Sequence, residues 1–142
     1  MILTRPELSV SCAVFKQGKV LLAQRMFEPY AGYYSLPGGR VERGETLHGA
    51  ALRELMEEVQ VEACIIDFVD HVELYEQDET GIVLFHAVIA VFLARWVGGE
   101  AKTGAEVKDV IWYDFSAPQD LRMTPNLKSV LLKASQMMMQ HP

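Results

Sequence analysis

The sequence predicts an α/β fold, an α/β/α sandwich in which a mixed β-sheet lies between two helices. Two segments carry apolar residues at about every fourth position, which is typical of amphipathic helices. Strand-like segments precede and separate them, and the segment from Ile82 to Trp96 is apolar at almost every position. Such a run is expected of a central strand that is covered on both faces.

Size and composition bound the class of protein. The chain has 142 residues without a repeat or a linker, so we expect one domain over residues 1–142. A formal net charge of −6 argues against binding to a nucleic-acid polymer. No apolar run approaches the roughly 20 residues that span a membrane, and the first residues lack the apolar stretch of a signal peptide. Cys12 and Cys64 lack metal-site spacing and are expected to be reduced core thiols of a cytoplasmic protein.

The first predicted element is a β-hairpin over residues 10–25. Val10–Phe15 and Val20–Ala23 are apolar segments that flank the turn Lys16–Lys19. A loop rich in Pro, Gly and Tyr follows from Glu28 to Tyr34. The sequence Leu36-Pro37-Gly38-Gly39 then predicts a type II turn, with proline at its second position and glycine at its third, where φ is positive.

The remaining elements alternate between strands and helices. A helix is predicted over residues 46–59 with Thr46 as its N-cap, and strands are predicted over 61–73, 82–96 and 109–113. Thr124 as N-cap and Pro125 at the first helical position begin a second helix. The predicted buried stripes are Leu47, Ala51, Leu55 and Val59 in the first helix, and Leu127, Leu131, Ala134 and Met138 in the second.

Three glutamates in the first helix form the most informative cluster. Glu54, Glu57 and Glu58 stand at i, i+3 and i+4, so their carboxylates project from one side of the helix within about one turn. Like charges at this spacing destabilise an isolated helix by roughly 0.2–0.5 kcal/mol per pair. A divalent cation removes that repulsion, because Mg²⁺ and Mn²⁺ take carboxylate and carbonyl oxygens as ligands. A solvated acidic face is the alternative, and the helix alone leaves both interpretations open.

The wider spacing resembles the Nudix box, G-x5-E-x7-R-E-U-x-E-E-x-G-U, in which U is aliphatic. Residues 39–61 agree with it at eight of nine defined positions, beginning with Gly39, Glu45 and Arg53-Glu54. The exception is the final glycine of the box, where this chain has Gln60. The order of strands and helices around the box is also similar to that of the Nudix fold, so the resemblance implies a Nudix-type α/β/α sandwich with a mixed sheet.

The resemblance also implies an activity. Nudix enzymes hydrolyse a nucleoside diphosphate linked to another moiety, X, and depend on Mg²⁺ or Mn²⁺. By this resemblance Glu57 and Glu58 are the principal metal ligands, and Glu54 is a further ligand or the base that acts on the attacking water. The backbone carbonyl of Gly38 completes the set of metal ligands. The expected substrate is a small nucleotide, either a (d)NTP or oxidised nucleotide or an ADP-ribose-like compound.

Further residues of the box receive supporting roles from the same resemblance. Arg53 is expected to act in catalysis by holding the carboxylates through an ion pair with Glu45 or Glu57. Gly39 and Glu45 are expected to shape the box itself. Glu106, in the loop that enters the predicted strand 109–113, is a second candidate for the general base, and an exposed loop carboxylate is the alternative there.

Three expectations concern substrate, backbone and assembly. Arg25 and Arg40 are candidates to bind the substrate phosphates. If the box backbone is kept, Gln60 adopts the left-handed conformation at a cost of roughly 1 kcal/mol relative to glycine. Homodimerisation is common in the family and is left open. The alternative function is a catalytically inactive Nudix domain that binds a nucleotide as a sensor or regulator, although the retention of all three helix glutamates favours the enzyme.

Overall fold

The computed structural model describes residues 5–141, and in this range it has seven strands and two helices in the predicted α/β arrangement. The strands form one mixed sheet whose neighbours run in the order β3-β2-β1-β6-β5, with β4 beside β1 and β7 beside β2. In chain order the elements are β1 (Glu7–Lys16), β2 (Lys19–Arg25), β3 (Tyr34–Ser35), β4 (Gly38–Arg40), α1 (Leu47–Val59), β5 (Glu62–Gln77), β6 (Val83–Gly98), β7 (Val107–Asp114) and α2 (Leu127–Met138).

Strand β1 is central to the sheet because both of its edges are paired. One edge pairs in parallel with β6 from Glu7 to Phe15. The other edge is divided between two antiparallel partners, β4 opposite Ser9–Ser11 and β2 opposite Phe15 and Lys16. β2 in turn pairs with β7 over its whole length, Lys19–Arg25. This division of one edge brings β4 beside the first half of β1, where the candidate site lies.

One helix packs on each face of the sheet. Since side chains alternate along a strand, Val10, Cys12 and Val14 of β1 belong to one core cluster, and Ala13 and Phe15 belong to the other. The structure therefore confirms the predicted sandwich. The helix residues buried in these clusters are Ala50, Ala51, Leu55 and Val59 of α1, and Leu127, Val130, Leu131 and Ala134 of α2. Within residues 5–141, no helix combines the length and the hydropathy that crossing a bilayer requires.

The predicted type II turn at Leu36–Gly39 is wrong. Gly38–Arg40 instead forms the short strand β4, and Gly38 does not have a positive φ. The cause is tertiary, because antiparallel pairing with Ser9–Ser11 holds these residues extended. A local rule for Pro-Gly sequences does not include such a partner, which comes from about 30 residues earlier in the chain.

The predicted start of the second helix is also wrong. α2 begins at Leu127, and its N-cap is Asn126 in the left-handed conformation with φ 70°, without a capping side-chain hydrogen bond. The backbone N–H of Leu127 donates to the carbonyl of Thr124 at 3.1 Å, so Thr124 and Pro125 lie in a turn before the helix. Burial differs from the prediction at three positions, since Leu47 and Cys64 are exposed and Met138 is only partly buried.

Helix α1 begins and ends at the predicted residues. The Thr46 hydroxyl accepts the backbone N–H of Gly49 at 3.0 Å, which caps the first turn. At the other end Gln60 has φ 61° and ψ 35°, and its N–H donates to the carbonyl of Met56 at 3.0 Å. The left-handed geometry that glycine has in the Nudix box is thus kept here by a residue with a Cβ, at an energetic cost.

Replacing Gln60 by glycine should leave stability unchanged or raise the free energy of unfolding by up to about 1 kcal/mol, because glycine adopts positive φ without strain. Thermal unfolding followed by circular dichroism measures the change. Gln60→Ala is the matched control, since it removes the same side chain but keeps the Cβ, and it should be less stable than Gln60→Gly. A clear loss of melting temperature in Gln60→Gly would contradict this account.

Candidate functional site

A cleft of about 850 Å³ lies where β4, the end of β2, α1 and the start of β7 meet. One half of its wall is polar and carries most of the residues predicted from sequence. Those in the lining are Arg25, Gly38, Gly39, Arg40, Glu54, Glu58 and Glu106. Glu45, Arg53 and Glu57 lie outside the lining. The structure therefore brings Glu106, from a separate part of the chain, beside two of the three helix glutamates.

The two glycines of β4 let the strand approach its neighbours closely. A Cβ at Gly39 would collide with the carboxyl group of Glu54, and a Cβ at Gly38 would collide with the backbone of Val10 and Ser11 in β1. The N–H of Gly38 also donates to Oε2 of Glu58 at 3.1 Å. At Gly38 the obstacle is backbone, so a larger side chain would push β4 away from β1. At Gly39 the obstacle is the end of the Glu54 side chain, so a larger side chain would displace that carboxylate from its place.

Burial raises the pKa of the two helix glutamates that line the cleft, Glu54 and Glu58. Burial raises the pKa of Glu58 to about 7, the N–H of Gly38 opposes that shift, and the charges of Glu54 and Glu106 add to it. The pKa of Glu54 is also raised by burial, although Arg53 opposes the shift through a hydrogen bond and its charge. Three neighbouring carboxylates with so little compensating positive charge would be stabilised by a cation.

Arg53 orders the carboxylates from behind the cleft. Its Nε and Nη2 donate to the two carboxylate oxygens of Glu45 at 2.6 and 2.8 Å, and its Nη1 donates to Glu54 at 2.9 Å and to Glu57 at 3.1 Å. Nη2 also donates to the carbonyl of Arg40 at 3.0 Å, which ties α1 to β4. The fork to Glu45 lowers the pKa of that carboxyl to about 2. Both partners considered for Arg53, Glu45 and Glu57, are thus in contact with it.

The candidate ligands have the chemistry that a hard divalent cation needs. Their side chains do not, however, converge on one point in this structure. All the candidate donors are oxygens, which are the ligands that Mg²⁺ and Mn²⁺ prefer, and Glu54 and Glu58 are partly shielded from water. Among residues 5–141, however, no three acidic, histidine or cysteine side chains converge on one point. The side chain of Glu57, predicted as a principal ligand, is 60% exposed and directed to Arg53.

Both predicted phosphate-binding arginines line the cleft, and each already has a protein partner. Nε of Arg25 donates to the carbonyl of Pro29 at 2.8 Å, which holds the loop after β2 over the cleft. The charge of Arg25 also opposes the rise in the pKa of Glu58. Arg40 is more exposed and lies 3.3 Å from the carboxylate of Glu7. Arg25 is therefore the better placed of the two to meet an anion next to the buried carboxylates.

The other half of the cleft is apolar, and the sequence did not single most of it out. Apolar side chains from the loop after β2, from β5 and β6, and from α2 line it together. Two of them, Met26 and Phe27, are 41% and 59% exposed at the edge of the cleft. The main apolar members are Met26, Phe27, Leu74, Phe85, Leu127 and Val130.

Comparison with known proteins identifies the family. A model of the NUDIX domain matches residues 5–134. The chain is 32% identical over 111 residues to the ADP-ribose pyrophosphatase of Methanocaldococcus jannaschii, an alignment that covers 78% of this chain and 63% of that protein. It is 32% identical over 117 residues to the putative 8-oxo-dGTP diphosphatase 2 of Mycobacterium tuberculosis, covering 75% of this chain and 79% of that protein. The chain belongs to the NUDIX family.

Solved structures agree on the fold. The MutT NUDIX hydrolase from Burkholderia pseudomallei superposes with a TM-score of 0.79 at 24% identity, over 91% of this chain and 98% of that one. The curated relatives that the chain matches are named as a pyrophosphatase and a diphosphatase. The chain spans a little under two thirds of the Methanocaldococcus protein.

The raised pKa of Glu58 predicts a pH dependence of stability for the metal-free protein. The unfolded chain releases this proton near pH 4.5 and the folded chain only at about 7, so the contribution of Glu58 to the free energy of unfolding falls over that interval and is constant above it. Glu58→Gln removes this contribution. In the presence of a chelator, the loss of melting temperature between pH 5 and pH 8 should be smaller in Glu58→Gln than in the unsubstituted protein.

Glu57→Gln is the matched control for this measurement, because the Glu57 side chain is mostly exposed and lies one residue away. It should keep the loss of melting temperature that the unsubstituted protein shows. Equal losses in the unsubstituted protein and in Glu58→Gln would contradict the assignment of the buried proton to Glu58.

Proposed function

We propose that this chain is a divalent-metal-dependent pyrophosphohydrolase that cleaves the diphosphate of a nucleoside diphosphate linked to another moiety, X. The observation that carries the proposal is the grouping of Glu54, Glu58 and Glu106 with Arg25 in one cleft. Carboxylates and an arginine at one end suit a metal-bound diphosphate, and the apolar walls at the other end suit a base or another flat group. An ADP-ribose-like compound and a (d)NTP or oxidised nucleotide are the two proposed substrate classes, in line with the names of the relatives.

The carboxylates of the site have two proposed roles, metal binding and proton transfer. Bound Mg²⁺ or Mn²⁺ would be held by Glu54, Glu58, the carbonyl of Gly38 and Glu57, whose side chain would have to turn from Arg53 toward the cleft. The cation would supply neutralisation of the diphosphate charge and acidification of a water. Glu54 or Glu106 accepts the proton from the attacking water, and burial raises the pKa of Glu54, which makes it a stronger base. The remaining residues bind and orient the substrate and the carboxylates.

Arg25 and Arg40 are proposed to bind the phosphates, and Arg53 is proposed to position the carboxylates. Arg53 contacts three of them but does not reach the cleft, so its part in catalysis is indirect. We place the protein in the cytoplasm, since Cys12 and Cys64 are both free thiols.

A panel of ADP-ribose, 8-oxo-dGTP, dGTP and CTP, with Mg²⁺ or with a chelator, tests the proposal. We expect turnover of at least one compound only with the metal, and a loss of kcat of at least about a hundredfold in Glu57→Gln. The exposed Glu62→Gln, four residues beyond Glu58, is the control and should retain its rate. Binding of a nucleotide without turnover of any compound would favour the sensor function instead.

Replacing Arg53 by lysine should lower kcat about tenfold and leave KM within about twofold, because an ammonium group cannot contact three carboxylates in a fixed fork. Steady-state kinetics on the best substrate of the panel measures both constants. Arg43→Lys, at an exposed position of the same box, is the control for loss of a guanidinium group, and its kcat and KM should be unchanged. A variant whose KM rises while kcat is unchanged would place Arg53 in substrate binding.

A further inference from the structure

The connection between β6 and β7, residues 99–106, packs against the carboxyl end of α1. The backbone N–H of Lys102 donates to the carbonyl of Val59 at 3.0 Å, so it satisfies one of the carbonyls that the helix end leaves free. The indole N–H of Trp96 donates to the carbonyl of Gly99 at 2.9 Å and fixes the start of the connection. Nζ of Lys16 lies 4.0 Å from the centre of the same indole ring.

Gly104 makes the closest approach to the helix in the middle of this connection. A Cβ built on Gly104 would lie 2.9 Å from the carbonyl oxygen of Glu58 and 3.1 Å from that of Glu57. Both neighbours are backbone atoms of a helix, so neither can rotate away. Gly18, in the turn between β1 and β2, is a glycine of the opposite kind, since it has φ 79° and no neighbour within 4 Å. Gly104 is therefore required by proximity.

Two residues after Gly104 the connection delivers Glu106 to the cleft that also holds Glu54 and Glu58. The three carboxylates line the same cleft, and the negative charge of Glu106 adds, after burial, to the raised pKa of both helix glutamates. The contact of Gly104 with the carbonyls of Glu57 and Glu58 thus sets both the distance of the connection from the helix end and the point from which Glu106 enters the cleft.

We infer that Gly104 is a positioning residue, whose contact with the carbonyls of Glu57 and Glu58 sets the place of Glu106 relative to the carboxylates of α1. The inference rests on the proposed function of Glu106 and adds the means by which it is placed. In Gly104→Ala the connection must move off the helix, and Glu106 moves with it. Displacement of a catalytic group by about 1 Å can reduce a rate about a hundredfold.

The test is a double-mutant cycle between Gly104→Ala and Glu106→Gln. We expect each single variant to lower kcat at least about tenfold with KM within about twofold, and the double variant to be no slower than Glu106→Gln alone. Gly18→Ala is the control, since it introduces backbone strain far from the cleft. Wild-type kcat in Gly104→Ala, or losses that multiply in the double variant, would overturn the inference.

Mn²⁺ affinity without nucleotide, measured by calorimetry, is the second readout. Removing or displacing a negative charge beside Glu54 and Glu58 weakens the attraction of a cation. Glu106→Gln should therefore raise the Kd for Mn²⁺, and Gly104→Ala should raise it by a smaller factor. A raised Kd in Glu106→Gln but not in Gly104→Ala overturns the inference and leaves the proposed function standing. If the unsubstituted protein neither binds Mn²⁺ nor turns over a substrate, both the inference and the proposed function are overturned.

If Gly104→Ala does not fold, as judged by circular dichroism, Trp96→Phe takes its place in both measurements. This variant removes the hydrogen bond to the carbonyl of Gly99 but keeps an aromatic ring, so it loosens the connection without a collision. We expect a fall in kcat of about two- to fivefold, in line with the loss of one hydrogen bond. An unchanged kcat together with an unchanged Kd for Mn²⁺ would overturn the inference.

Discussion

The close approach of β4 to α1 is the constraint on which the candidate site depends. Gly39 lies against the carboxyl group of Glu54, and the N–H of Gly38 reaches Glu58 from the adjacent backbone. This contact shields both carboxylates from water, while Arg53 anchors the helix to β4 from the other side. The carboxylates are therefore held in place before any ligand arrives, with a surplus of negative charge that a cation can neutralise.

The long elements could be predicted from the sequence, because their signals are local. The repeat of apolar residues at every fourth position in α1 and the apolar run of β6 each reflect the burial that the structure shows. The short strands β3 and β4 could not be predicted, since two or three residues have no periodicity and exist as strands only through distant partners. The start of α2 was predicted wrongly for a related reason. Thr124 lies in a turn, and the local sequence around it does not distinguish that turn from a helix N-cap.

The candidate site was predictable in its members more than in its geometry. Helical spacing places Glu54, Glu57 and Glu58 on one side of α1, yet it does not say that Glu57 is turned to Arg53 and away from the cleft. The nearness of Glu106 depends on how residues 99–106 cross the helix end, which is a tertiary property. The apolar half of the cleft is lined by side chains from four separate segments of the chain, and a local sequence pattern cannot predict that they lie together.

The indole of Trp96 gives the molecule an internal optical reporter. The chain has two tryptophans, and both rings flank the Lys16 ammonium group, with Trp112 at 5.6 Å from ring centre to nitrogen. Neither ring lines the cleft. Tryptophan emission from the unlabelled protein thus originates beside Lys16, where Trp96 begins the segment that leads to Glu106, and a shift in its wavelength registers a rearrangement of this region.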